Sequence, residues 1–463
     1  MSMEEKNDDQ YNAMIKKNDF IKKLMTLVFP IAFQQFMLAL VSASDALMLG
    51  ELTQDALSAV SLASQIAFVQ NLFLAAMTIG LSMLAAQYWG KGQVNEVEKI
   101  FAYVLKISIA VSLTFTFVTF SVPDVLMKIF TSEKVLIENG AIYLRAVSAS
   151  YFLTGISQIY LCVLKNSGKA FKSSIISSAS VISNIILNAV LIFGLSGFPG
   201  MGIAGAALAT VAARIIEVLW CILETLKKNR VKLRRVNFGT KDSTLCRKFW
   251  KYTFPVLGNE IVWGCGFTMY SVIMGHLGND AVAANSIANI VKNLVACFCL
   301  GLGSGGGIIV GNELGAGDLD TAKEYGKKLC IMSVVCGIFS GLLLLALSPI
   351  ILSAANLSAQ AAAYLKWMLV MCSYYLVGKS VNGTTIAGIF CAGGDSRFGF
   401  LCDTVTMWCI IVPLGLAAAF IIKMPVLMIY FIVSLDEIIK LPAVYRHYKK
   451  YHWIKDLTNK EGL

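Results

Sequence analysis

Residues 24–49 are long enough to cross a bilayer, and about eleven further apolar runs of the same kind follow. A spanning helix needs about 20 mostly apolar residues, because the bilayer core offers backbone groups no water. The runs begin near residues 24, 56, 100, 138, 173, 201, 249, 281, 327, 362, 397 and 424. They restrict the chain to an all-α polytopic membrane protein with about 12 transmembrane helices. The composition agrees: 57% of residues are hydrophobic and 14% charged, against about 25% charged in soluble domains.

Charge sets the orientation. The even-numbered connections hold Lys91 and Lys99; Lys165, Lys169 and Lys172; Lys323, Lys327 and Lys328; and Arg397. After the sixth run comes "KKNRVKLRRVNFGTKDSTLCRK", whereas the odd-numbered connections "GELTQD", "GLSGFPGMG" and "GHLGND" are short and acidic or neutral. By the positive-inside rule both termini and the basic linker face the cytoplasm. The net charge of +11 is therefore a topology signal, and no nucleic-acid partner is expected. The N-terminal "MSMEEKNDDQ" is acidic and polar, unlike a cleavable signal peptide. Twelve cysteines without a CxxC pair, and three histidines, give no zinc-site spacing. "GLGSGG" at 301–306 fits GxGxxG but lacks the preceding strand of a dinucleotide site, so its glycines are expected to let helices approach closely.

The two halves repeat. "FPIAFQQ" aligns on "FPVLGNE" with Pro30 on Pro255, a shift of 225 residues. In that register, without gaps, "LGELTQDALSAVSLAS" lies on "MGHLGNDAVAANSIAN" and "AAQYWGKGQ" on "VGNELGAGD". Both copies start on the same side, so the repeat is parallel, about an axis along the membrane normal. The expected organisation is a cytoplasmic tail at 1–23, a six-helix lobe at 24–224, a basic linker at 225–248, a second six-helix lobe at 249–446 and a tail at 447–463. Two such lobes enclose a cavity suited to alternating access.

Asp45 is the one ionisable residue in the first run. A carboxylate at mid-membrane costs about 2.5–3.5 kcal/mol on insertion scales, so it is read first as functional. The plainer alternative is a polar patch that only orients helices. Asp45 lies five residues before Gly50, about 7–8 Å from the helix end. Asn184 and Asn188 share a helix face, and Thr210 follows Gly202 by eight residues. All four stand at similar depth in the outer half of one lobe, where a carboxylate among neutral oxygens suits Na⁺ or a relayed proton. Pro30 can bend the first helix and let it switch.

In the second lobe Glu260 stands about 15 Å deep and aligns with Gln35 in the repeat. Lys379 and Lys292 reach comparable depth, and either can pair with it. Trp263, Tyr270, Met269 and Met274 can line an adaptable drug surface, or only pack. Arg214 with Glu217, and Glu437 with Lys440, are expected to neutralise each other; Asp403 and Asp436 suggest no role.

With "SASDALMLG", "NIILNAVLIFG", "GFPGMGIAGAALATVAAR", "IIVGNELGAGDLDTAK" and "GIFCAGGDSRFG" in this order over about residues 20–450, the chain resembles the multidrug and toxic compound extrusion (MATE) family. The resemblance implies the MATE-like fold and export of organic cations or other amphipathic compounds in exchange for H⁺ or Na⁺. It also implies a cation site around Asp45. Many members carry a second aspartate where this chain has Asn188, which weakens the case for Na⁺ and leaves proton coupling through one carboxylate. Some members use a glutamate near Glu260 with an acid on the tenth helix, where this chain has Lys379. No cofactor is expected beyond the coupling ion. The expected partners are small molecules and membrane lipid, with the chain a monomer in a cell membrane, in particular a prokaryotic plasma membrane. HExxH, GxSxG and Walker A motifs are absent, which argues against an enzyme or direct ATP drive. A lipid-linked oligosaccharide flippase of related fold is the alternative. Such proteins usually line their cavity with several arginines, and Arg145 is the lone candidate here.

Overall fold

The computed structural model describes residues 3–195, 199–227, 231–234, 237, 242–355 and 357–459, with side chains described from residue 19 onward. Residues 196–198 of the fifth connection and residues 228–230, 235–236 and 238–241 of the basic linker lie outside the described residues.

Twelve helical spans are present among the described residues. The first lobe holds α1 (Met3–Leu52), α2 (Gln54–Gly90), α3 (Val94–Ser121), α4 (Lys134–Asn166), α5 (Ala170–Phe193) and α6 (Gly202–Thr225). The second holds α7 (Ser243–Gly275), α8 (Asn279–Ala316), α9 (Leu319–Ala354), α10 (Ala359–Phe390) and α11 (Ser396–Ile421). It ends with α12, broken into Val426–Val433, Asp436–Ile439 and Leu441–Tyr448. Ten of the twelve are continuous helices apolar and long enough to cross a membrane; α7 is more polar, and α12 is divided into shorter helices. The breaks in α12 fall where Asp436, Glu437 and Lys440 enter the interior and where Pro442 removes a helical donor. No strand occurs among the described residues.

Some boundaries differ from expectation for local reasons. α7 begins at Ser243 rather than near residue 249, because Asp242 caps it, accepting from the Thr244 and Leu245 amides at 3.1 Å. The helix of α1 extends back to Met3, and Pro30 sits inside it without ending it. Residues 383–390 of α10 and two stretches of α11 widen into π-helix. Such turns re-aim side chains and are frequent at functional sites.

The repeat is written into the lobe interface. Gly90 packs on the backbone of Asn312, and Gly315 packs on the backbone of Gln87. These four residues are two repeat-related pairs, each glycine meeting the other lobe's polar residue. One level deeper, Gly80 meets Thr253 while Gly305 meets Val28, again exchanged by the 225-residue shift. Gly301 lies against Ala32, and Gly303 and Gly307 face the α10 backbone at Gly383 and Gly388. The glycines of "GLGSGG" and their neighbours thus serve close helix approach, which drives helix association in lipid where apolar burial cannot.

These contacts concentrate toward the face that carries the start of α1 and residues 453–459, here the terminal face, which is also bridged by polar bonds. Lys23 pairs with Glu313 at 2.7 Å, and Tyr325 donates to Asp19 at 3.2 Å. Gln87 donates to the carbonyls of Ala392 and Lys455 and accepts from the Leu457 amide at 2.6 Å. Lys248 donates to the carbonyls of Leu457 and Asn459. Residues 453–459 are therefore a strap across both lobes, with Trp453 fully buried.

Candidate functional site

In the first lobe the structure brings the four sequence-selected residues together. Asn188 donates to Asp45 Oδ1 at 2.6 Å and to Asn184 Oδ1 at 3.2 Å, and Asn184 donates to Thr210 Oγ1 at 3.3 Å. The chain of bonds runs from α1 through α5 to α6. It exists because Asn184 and Asn188 are one helical turn apart, so their side chains stack on one face. Asn188 Oδ1 is buried without a partner. Asp45 is thus a carboxylate in the membrane interior, fixed by one amide and flanked by neutral oxygens. Arg214 is held by Glu217 at 2.7 Å in the same lobe, the expected neutralised pair.

Between the lobes lies a cavity of about 600 Å³. Gln35 and Glu260, repeat mates, both line it, with Thr78 and Ser82 from α2 and Trp263 and Lys379 from the second lobe. Among the described residues no side chain lies within hydrogen-bonding or ion-pair distance of Glu260. The Glu260–lysine pair that depth allowed is therefore absent among the described residues. Lys379 Nζ stands over the rings of Trp263 and Tyr375 at 5.6 and 5.8 Å, and Lys292 Nζ over Tyr375 at 4.8 Å. Aromatic faces, which attract ammonium groups within about 6 Å, hold both lysines instead. Lys292 and Tyr270 do not reach the main cavity. They line a pocket of about 40 Å³ beside it with Met274 and Asp436, and Trp263 is shared by the two.

A second charged centre was only half visible in the sequence. Lys440 lies 2.8 Å from Asp403 and 3.6 Å from Glu437, and Asn382 donates to Glu437 Oε2 at 2.7 Å. All four are buried, and all four line the cavity. The i, i+3 spacing gave Glu437 with Lys440; Asp403 and Asn382 arrive from α11 and α10, and nothing in the sequence aligns those helices. Lys165, read as a loop charge, is in the last turn of α4 and lines the cavity. Arg145, the one arginine considered for the cavity, pairs instead with Asp124 at 3.0 Å on an exposed edge.

An all-α membrane protein with two repeat-related lobes around a charged cavity has the architecture of a carrier. The MatE family profile matches residues 30–190 and 255–417, two stretches whose starts are the repeat mates Pro30 and Pro255. The chain belongs to the MatE (multidrug and toxic compound extrusion) family of multi-pass membrane transporters. It is 22% identical to the "Uncharacterized transporter YisQ" of Bacillus subtilis, covering 96% of this chain and 97% of that one. It is 25% identical to the "Probable multidrug resistance protein NorM" of Thermotoga maritima, over 70% of this chain and 69% of that one. In structure it resembles a point variant of the Vibrio cholerae MATE transporter VcmN, with TM-score 0.86 at 16% identity, covering 96% and 99% of the chains. It also resembles a transporter from Pyrococcus furiosus, with TM-score 0.85 at 15% identity, covering 95% and 97%.

Proposed function

We propose that this transporter exports small cationic or amphipathic compounds by alternating access, in exchange for protons taken up at Asp45. The observation that carries the proposal is the half-buried Asp45 carboxylate held by Asn188 at 2.6 Å. It is the sole acid of its cluster, so one proton neutralises it. Na⁺ is the second reading; it would need the Asn188 amide to turn its oxygen toward the ion, and the donor now faces the carboxylate. Protonation would remove the charge that Asn188 holds, releasing α1 from α5, and Pro30 supplies the weak point at which α1 can bend.

The substrate site is the central cavity, with Glu260 as the anionic anchor. No lysine has to be displaced for a cationic compound to reach that carboxylate. Trp263 and Lys379 close one side, and their ring-to-ammonium contact can be exchanged for a substrate's own cation. The terminal face is read as cytoplasmic, in agreement with the lysine-rich even-numbered connections. The strap and the glycine pairs then seal the cytoplasmic side and must part for substrate loading. The protein is read as a monomer in a prokaryotic cell membrane. The flippase alternative is not favoured: Arg145 is away from the cavity.

The test is transport of a fluorescent cationic dye in everted membrane vesicles with pH and Na⁺ gradients imposed separately. Dye movement driven by the pH gradient alone is expected. Movement driven only by Na⁺ would overturn the proton assignment, and movement driven by neither would overturn the antiport reading.

A further inference from the structure

At the terminal face, away from the central cavity, two adjoining hollows lie between α7 and α11. The first, about 500 Å³, is polar and bordered by Lys251, Arg397, Lys455, Asp395, Asp456 and Asn459. The second, about 470 Å³, is lined by Trp250, Phe254, Pro255, Gly258, Phe400 and Leu401. Lys251 and Arg397 border both.

Among the described residues, the polar hollow carries more basic than acidic side chains. Its two acids are engaged: Asp395 with His447 at 2.6 Å, and Asp456 with Lys91 at 3.7 Å. On its rim, neither Arg397 nor Lys455 has an ion-pair partner among the described residues, and Lys251 stands beside them. The start of α11 opens beside it, and no side chain caps the first amides of that helix. Uncapped helix amides add to an anion's attraction.

The apolar hollow continues the polar one along the membrane normal. From Lys251 to Gly258 along α7 is seven residues, about 10 Å at 1.5 Å per residue. That is most of one leaflet of a hydrocarbon core about 30 Å thick. Phe254 and Leu401 stand 69% and 60% exposed on its walls. Gly258 has no side chain to keep the Phe400 ring off α7, so the ring packs directly against that helix. A site that is cationic at the membrane face and apolar for most of a leaflet beneath it has the order of polarity of an anionic phospholipid.

We propose that the groove between α7 and α11 binds an anionic glycerophospholipid, with its phosphate among Lys251, Arg397 and Lys455 and an acyl chain against Phe254 and Leu401. Because Lys455 belongs to the strap, an occupied site also ties the strap to the membrane surface. The proposal stands independently of the transported substrate and the coupling ion.

The test is native mass spectrometry of the purified full chain in detergent with phosphatidylglycerol or phosphatidylcholine added in equal amounts. Wild type is expected to retain phosphatidylglycerol over phosphatidylcholine, by about fivefold for each basic contact. Arg397→Gln with Lys251→Gln should cut that preference to the roughly fivefold that Lys455 alone supplies, and Leu401→Asp should lower retention of both. Excess inorganic phosphate should leave the bound lipid in place. Equal retention of the two lipids by wild type would overturn the proposal, and that comparison requires no variant to fold. An unchanged preference in the double variant, or displacement by phosphate alone, would overturn it as well.

Discussion

Gly315 lies against the backbone of Gln87 so closely that a side chain at 315 has no room. The reciprocal contact joins Gly90 to Asn312, so the internal repeat sets both halves of the seal on the terminal face. Gly315→Val is expected to prise the lobes apart there. Overpacking of this kind shifts a two-state balance by about tenfold to a hundredfold. Labelling of the cavity-lining Cys162 by a maleimide, located by mass spectrometry, should rise accordingly. Unchanged labelling in a well-expressed variant would show that the contact does not hold the face closed.

Asn188→Asp places a second carboxylate against Asp45. Two acids at hydrogen-bonding distance either share a proton or recruit a cation. The variant is expected to bind Na⁺ measurably by calorimetry, and its dye transport should respond to a Na⁺ gradient where wild type does not. Identical Na⁺ binding by the two proteins would count against the role given to the neutral amide.

Glu260→Gln keeps the shape of the cavity wall and removes its unpaired charge. Binding of a cationic dye to the purified protein should weaken by about tenfold, roughly the worth of one charge-assisted contact, with a neutral dye little affected. Equal loss for both dyes would make Glu260 a structural residue, and no loss for either would remove it from the substrate site.

Helix number, repeat and lobe pairing were legible because each rests on the local chain. Apolar length marks the spans, and a gapless 225-residue register marks the repeat. The Asp45 cluster was legible for a related reason: depth can be counted from a nearby helix end, and Asn184 and Asn188 share a face by spacing alone. What depth does not give is rotation about the helix axis. Glu260 and Lys379 lie at similar depth yet form no ion pair, because Lys379 turns to Trp263 and Tyr375. The Lys440–Asp403–Glu437–Asn382 group needs three helices at set rotations, with α12 broken between Ser434 and Leu441, and no one segment encodes that. Lys165 was obscured by Lys169 and Lys172, which made it look like one more loop lysine.

The central claim is that Asp45 carries the coupling proton, and the most direct measurement is pH-gradient-driven dye uptake by everted vesicles containing Asp45→Asn. Asparagine retains the side chain's shape and can still accept from Asn188, so insertion and expression should stay near normal, and dye binding to purified protein should persist. The account predicts that uptake falls to the level of vesicles lacking the transporter. Uptake near that of wild type, at equal protein content, would contradict it.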